Sequence, residues 1–94
     1  MQAYERAGAD VLFAPGLRTA DDIRAVCDAV SKPVNVLAHA GLTRDEIVGA
    51  GAQRISVGGA LTWVSAAAAA EAAAAIRDRG DFSVLTARPP SWLR

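Results

Sequence analysis

The chain has 94 residues, of which 52% are hydrophobic, and its ten basic residues balance ten acidic ones. This length suits one small domain, and the hydrophobic content argues against intrinsic disorder. Because neither sign of charge dominates, we expect no nucleic-acid partner and no membrane surface as a partner. The single cysteine, Cys27, excludes an internal disulfide and is typical of a reducing compartment, which predicts a cytoplasmic protein.

Three similar units follow one another along the chain after residues 1–7, which resemble the end of a helix. Each unit has an apolar run of strand length, a turn and a helical pattern, as a βα repeat requires. The predicted strand and helix of each unit are, in order, Ala9–Ala14 and Thr19–Val30, Pro33–Ala38 and Thr43–Ala50, and Arg54–Gly58 and Ala60–Arg79.

Capping residues mark the predicted helix ends. Thr19 is followed three residues later by Asp22, and Thr43 by Glu46. This spacing predicts that each hydroxyl caps an amide of the first turn while the acid reaches back to the cap. Gly51 follows the second helix, where a left-handed residue commonly ends a helix.

The first predicted strand is continuously apolar from Val11 to Ala14, and the second is nearly so from Val34 to Ala38, so apolar and polar residues do not alternate. Such runs are typical of parallel strands that are covered on both faces. Repeated βα units then predict either a doubly wound sheet or a closed barrel, and both need more than three strands. A complete (β/α)8 barrel takes ~250 residues. We therefore expect an α/β fold that is incomplete on its own.

Two parts of the chain are expected to differ in structure. Residues 1–80 form the partial barrel, and residues 81–94 form a C-terminal tail in which Pro89 and Pro90 exclude a continuing helix. The alanine-rich helix before the tail is interrupted by Glu71 and reaches Arg77, so it is not expected to cross a membrane.

Three stretches of the sequence carry a resemblance to a known family. Residues 4–13 read YERAGADVLF, residues 32–37 read KPVNVL and residues 53–61 read QRISVGGAL. In this order and spacing they resemble successive segments of the isocitrate lyase/phosphoenolpyruvate mutase superfamily, and most of all its mutase/decarboxylase-like branch. The resemblance runs from about Tyr4 to Phe82. It implies that the chain is the C-terminal three βα units of a (β/α)8 TIM barrel.

The resemblance also implies a chemistry. Members of this superfamily cleave or form C–C or P–C bonds in small 2-oxo or 2-hydroxy acids through an enolate that Mg²⁺ stabilises as a Lewis acid. The implied ligand is a small-molecule carboxylate, and the implied full-length form is a homo-oligomer that associates through its last helix. The acidic residues that hold Mg²⁺ in the family lie on earlier strands, so no metal ligand is expected in this chain.

Two positions depart from the family pattern. Pro15 stands where several lyases have a glutamate and the phosphonate mutase a histidine, and Leu37 stands where 2-methylisocitrate lyases have an asparagine. No catalytic residue can therefore be carried over to this chain. We expect a lyase or phosphonomutase-like enzyme by family, but an isolated chain that is inactive.

The substrate-binding candidates are the residues predicted to reach the C-terminal ends of the strands, where barrels of this type place their active sites. His39 follows the second strand and can orient a carboxylate or transfer a proton. Gly58 and Gly59 precede a helix, whose first amides can bind an anion. Asn35 lies within the second strand and Ser56 within the third, where either side chain can point into the barrel and reach a ligand. The competing interpretations are a loop histidine without a role, glycines required for a tight turn, and an asparagine in an interior hydrogen-bond network.

Two other functions are compatible with the same pattern. The glycine pair would also suit a segment of a phosphate-binding TIM-barrel enzyme. Alternatively, the chain is a non-catalytic truncated or assembly module, in which the alanine-rich helix docks closely on a partner.

Overall fold

The computed structural model describes residues 1–93. The elements are α1 (Gln2–Arg6), β1 (Leu12–Phe13), α2 (Ala20–Asp28), β2 (Val34–Leu37), α3 (Arg44–Gly49), β3 (Arg54–Ser56) and α4 (Ala60–Arg79), followed by two 3-10 turns, Ser83–Thr86 and Ser91–Leu93. They form two compact units, Met1–Gly58 and a second that begins at Gly59. Within the described residues no helix has the length and apolar character needed to cross a bilayer.

The three strands form one parallel sheet in the order β1-β2-β3. Leu12 lies opposite Val34, and Asn35 lies opposite Arg54. This arrangement confirms the predicted α/β class with consecutive parallel βα units. The strands are shorter than the apolar runs predicted, because a strand extends only where its backbone finds a ladder partner. β1 pairs with β2 at two positions, so residues 9–11 and Ala14 lie outside the ladder.

The helix ends follow the predicted caps, with one exception. The Thr43 hydroxyl accepts a hydrogen bond from the Glu46 amide at 3.2 Å, and Glu46 Oε2 accepts one from the Thr43 amide at 2.7 Å. At α2 the Thr19 hydroxyl accepts from the Asp22 amide at 3.1 Å, but the Asp22 carboxylate makes no return bond. The prediction of a reciprocal cap was wrong there, since aspartate is one methylene shorter than the glutamate of a capping box.

One face of the sheet is buried beneath α2 and α3. Val34 and Val36 have no exposed surface, and neither does Ile23 of α2. Ile47 of α3 completes this contact at 1% exposure. Burying each such side chain stabilises the fold by about 1.5–3 kcal/mol, so these aliphatic residues hold both helices on the sheet.

The other face of the sheet has a different composition. Because side chains alternate along a strand, the register places Phe13, Asn35, Arg54 and Ser56 together on this face. Phe13 is 47% exposed, whereas Asn35 is 3% exposed. The apolar runs therefore overstate how alike the two faces are, since burial on both was predicted and only the helix-covered face is uniformly apolar.

The first helix is tied to the loop between α2 and β2. Glu5 Oε1 accepts hydrogen bonds from the amide of Ser31 at 2.8 Å and from its hydroxyl. Gln2 Nε2 donates to the carbonyl of Ala29 at 3.0 Å. The two bonds from Ser31 lower the pKa of Glu5 from its ordinary value of 4.5, because both stabilise the charged carboxylate.

We predict that the hydrogen bonds from Ser31 to Glu5 make the thermal stability of the chain depend on pH in the acidic range. A carboxylate whose pKa is lowered on folding contributes stability above the ordinary value, and the contribution is lost as pH falls through the lowered value. Glu5→Gln should therefore flatten the loss of thermal stability below pH 4.5. Circular dichroism melts of the wild type and Glu5→Gln across this range measure it, with Glu71→Gln on the exposed face of α4 as the matched control. An unchanged acid profile in Glu5→Gln would contradict the role given to this bond.

We also predict opposite effects for two neighbouring glycines. Gly51 has φ +111°, and a Cβ there would lie 3.0 Å from Cys27 Cβ. Gly51→Ala should therefore destabilise the chain by about 1–3 kcal/mol. Gly49 lies within α3 and has open space around its Cα, so Gly49→Ala should stabilise by roughly 0.5–1 kcal/mol. Chemical denaturation measures the free energy of unfolding of both variants. Equal changes in the two would show that backbone conformation does not determine the effect of replacing these glycines.

Candidate functional site

The C-terminal ends of the three strands define one edge of the sheet. We call this the strand-end edge, formed by residues 14–19 after β1, 38–43 after β2 and 57–58 after β3. Parallel strands bring these segments side by side. In open and closed α/β folds this is the edge at which ligands bind. A residue that contacts a ligand is therefore expected at or next to this edge.

His39 joins two of the loops at the strand-end edge. Its Nδ1 accepts a hydrogen bond from the amide of Gly41 at 3.0 Å, and its Nε2 lies 3.1 Å from the carbonyl oxygen of Arg18. An amide can only donate and a carbonyl can only accept, so Nδ1 is unprotonated and Nε2 carries the proton. The imidazole therefore connects the loop after β1 to the loop after β2.

The fit around His39 depends on Gly41. A Cβ at position 41 would lie 2.8 Å from Cε1 and 3.0 Å from Nδ1 of the imidazole. The first distance is shorter than real Cβ contacts and the second is unusually tight, so a side chain at position 41 would displace the ring. The absence of a side chain is a local requirement of this loop connection.

Asn35 lies at the centre of a polar triad formed with Arg54 and Ser56. Arg54 Nη1 donates to Asn35 Oδ1 at 2.9 Å, and Asn35 Nδ2 donates to Ser56 Oγ at 3.1 Å. Asn35 is buried on the second face of the sheet, the face that α2 and α3 do not cover. Both the oxygen and the nitrogen of its side-chain amide are hydrogen-bonded. The expected interior network is present, and it lies directly below the strand-end edge.

Arg54 is the member of the triad that the sequence interpretation missed. It was treated only as the first residue of a strand. The available signal was its spacing, since residues 54 and 56 lie on the same face of a strand, as Asn35 and Leu37 do on the neighbouring strand. Their mutual contact depends on the register between β2 and β3, which single-strand patterns do not contain.

Gly58 and Gly59 belong to different compact units. Gly58 has φ +55°, a conformation that only glycine adopts readily, and a Cβ there would approach Leu37 Cδ1 at 3.4 Å. Gly59 is the N-cap residue of α4 and makes no side-chain cap. The turn conformation alone accounts for Gly58, while the role of the pair in binding an anion stays a prediction.

Residues 1–93 do not fit a Mg²⁺ site. Magnesium is bound through carboxylate and other oxygen ligands in near-octahedral geometry. The segments of the strand-end edge contain no aspartate or glutamate, and residues 1–93 bring together no group of three or more His, Cys, Asp or Glu side chains. No chemical step can be assigned to a metal held by these residues.

The single thiol is not placed for nucleophilic chemistry. Cys27 lies on α2, partly buried against the helix-covered core. Burial, with a smaller contribution from Asp28, raises the pKa of the Cys27 thiol, which disfavours the reactive thiolate. The structure thus agrees with a packing role for this residue.

Comparison with known proteins decides the family. Residues 1–77 match the family model described as phosphoenolpyruvate phosphomutase. The chain belongs to the isocitrate lyase/phosphoenolpyruvate mutase superfamily. This confirms the resemblance seen in the three sequence stretches. No curated protein gives a significant match.

Two solved structures extend this result to the fold. A protein of Burkholderia cenocepacia J2315 described as a lyase/mutase is 44% identical, with a TM-score of 0.87 over 96% of this chain. A second protein of the same organism, described as a phosphonomutase, is 38% identical, with a TM-score of 0.64 over 85% of this chain. The chain spans about a third of the length of each, 34% and 31%. This proportion is expected for three units of an eight-unit barrel.

We predict that two substitutions of His39 separate its two hydrogen bonds. His39→Ala removes both, so hydrogen exchange of the Gly41 amide should accelerate. His39→Asn should keep the Gly41 bond, because an asparagine side chain accepts from the amide two residues onward, while losing the contact with Arg18. Amide exchange measured by NMR checks both, and a Gly41 amide equally protected in the wild type and His39→Ala would rule out this connection.

Proposed function

We propose that the chain forms one wall of the active site of a lyase- or phosphonomutase-type barrel enzyme. The proposed reaction is cleavage or formation of a C–C or P–C bond in a small 2-oxo or 2-hydroxy acid. Family membership supports the enzyme class, and the names of the two similar structures support both reaction types.

The observation that carries the proposal is the chemical difference between the two faces of the sheet. In a doubly wound sheet, helices cover both faces and both are apolar. In a barrel the second face lines the interior, and its residues near the strand ends reach the ligand. The buried Asn35, hydrogen-bonded to Arg54 and Ser56, fits a barrel interior better than a helix-covered face.

Within this wall we assign different roles to the candidate residues. His39 uses both ring nitrogens to hold the two loops, so we propose that it shapes the strand-end edge around the substrate. Asn35 is proposed to organise the polar face beneath the substrate. Gly58 is explained by its backbone conformation, so the glycine pair gives no specific support to the phosphate-binding alternative.

The Mg²⁺ dependence is also part of the proposal. When bound, such an ion would stabilise the enolate oxygen as a Lewis acid. Its ligands would come from residues outside these 94, because the strand-end edge has no carboxylate. The homo-oligomeric form and the cytoplasmic location stay predictions.

The proposal is tested by transplanting the chain into a longer relative. The 94 residues replace the matching third of the Burkholderia protein that is 44% identical. The hybrid is assayed with Mg²⁺ on oxaloacetate, 2-methylisocitrate and phosphoenolpyruvate, beside the unmodified parent. We expect the hybrid to keep whichever of these reactions the parent catalyses, while the isolated 94-residue chain turns over none.

Two results would contradict this account. A hybrid that melts cooperatively like its parent but loses the parent's activity would show that this chain cannot supply the wall. Mg²⁺-dependent turnover by the isolated chain would show that the wall is a complete site. A hybrid with Gly41→Ala tests the role given to His39 and should be less active than the unsubstituted hybrid, since this change displaces the imidazole without altering a polar side chain.

A further inference from the structure

The polar triad has a fixed direction of hydrogen bonding. Arg54 has only donors on its guanidinium, and its Nη1 lies 2.9 Å from Asn35. The oxygen of the Asn35 amide must therefore face Arg54, which places Nδ2 toward Ser56. The orientation of this amide follows from its charged neighbour.

The direction of Ser56 then follows from Asn35. The amide Nδ2 donates to Ser56 Oγ at 3.1 Å, and an amide nitrogen does not accept in return. The hydroxyl proton of Ser56 must point elsewhere. Among residues 1–58 that hydroxyl donates to no side-chain or backbone acceptor, and Ser56 is half-buried at the end of β3. The triad thus ends in a hydroxyl that is available as a donor at the strand-end edge.

The charge of the triad adds a second, independent observation. The ion pairs in the described part of the chain are Arg44 with Asp45 and Arg77 with Asp78, so Arg54 has no carboxylate partner there. Phe13, which lies opposite Asn35 on this face, and Leu37, which lies opposite Ser56, carry no charge. A positive group and a hydroxyl with an unused donor on the same face favour an anionic oxygen, because hydrogen bonds to charged groups are shorter and stronger than neutral ones.

We infer that Ser56 and Arg54 bind a carboxylate oxygen of the substrate, and that Asn35 positions the Ser56 hydroxyl for this bond. The inference rests on the proposed function, since it assigns the carboxylate of a small 2-oxo acid to this face. Ser56 would contact the ligand, Arg54 would supply the charge, and Asn35 would act through both. None of these three residues is a metal ligand in this arrangement.

The test is a titration of the ¹⁵N-labelled 94-residue chain with oxalate, monitored by NMR. A titration with sodium chloride at matched ionic strength is the reference. We expect saturable shifts of the Asn35 side-chain amide and the Ser56 backbone amide. Ser56→Ala should bind about tenfold more weakly, whereas Ser56→Thr keeps the hydroxyl and should bind as the wild type does. Arg54→Gln should weaken binding more than Arg6→Gln, a matched loss of charge on α1.

Substitution of Asn35 tests the positioning role. In Asn35→Asp the carboxylate accepts from Ser56, which turns the hydroxyl proton inward, so oxalate binding should be lost while the contact with Arg54 is kept. Asn35→Leu removes the orientation without adding charge and should also weaken binding. The dispersion of each NMR spectrum shows whether the variant is folded, and Ser56→Thr and Arg54→Gln carry the test if the Asn35 variants are not.

Several outcomes would overturn the inference. These are the absence of saturable oxalate shifts, equal binding by the wild type and Ser56→Ala, or full binding by both Asn35 variants. Inorganic phosphate that binds as tightly as oxalate would overturn the assignment to a carboxylate. Because the measurement is binding to this chain alone, its failure leaves the hybrid-enzyme test of the proposed function intact.

Discussion

A parallel sheet has two faces, and the side chains on both faces need packing or hydrogen-bonding partners. In this chain α2 and α3 cover one face and form a closely packed aliphatic layer with it. Its most buried members are essentially inaccessible to solvent: Val34, Val36, Ile23 and Ile47. The second face combines a half-exposed Phe13 with a buried asparagine held by an arginine and a serine. The difference between these faces determines both the architecture and the location of the candidate site.

Burial explains why the polar residues of the second face are specific in their contacts. An unpaired buried amide costs about 1–3 kcal/mol, so Asn35 is stable at 3% exposure only because Arg54 and Ser56 engage both ends of it. The same bonds leave the proton of the serine hydroxyl free to donate to another acceptor. A structural requirement of the sheet interior thereby leaves an unused donor at the end of β3, where a barrel enzyme would bind its substrate.

Local sequence signals predicted most of the fold. The limits of α4 were predicted at Ala60 and Arg79, as observed, because glycines flank a segment whose centre is an alanine-rich run of strong helix formers. The capping box of Thr43 and Glu46 was predicted from spacing and holds because the acid is a glutamate, whereas the same spacing at the start of α2 gives only the threonine cap. The extent of β1 was not, since its pairing depends on β2 and not on the apolar run. The family was recognisable because three stretches recur in order.

The candidate site was predictable only in part. The position of His39 after a strand indicated the strand-end edge, but its partners, Arg18 and Gly41, depend on how two loops meet. Arg54 was missed because its contact with Asn35 arises from strand register. Pairing across strands is a tertiary property, so residue types within one strand cannot reveal it.

The claim that the second sheet face lines a closed ring is tested most directly by its accessibility. A thiol introduced by Phe13→Cys in a Cys27→Ser background is labelled in the isolated chain and in the hybrid with the longer Burkholderia relative. The account predicts rapid labelling in the isolated chain and strong protection in the hybrid, where further strands enclose this face. Equal labelling rates in the two proteins would contradict it.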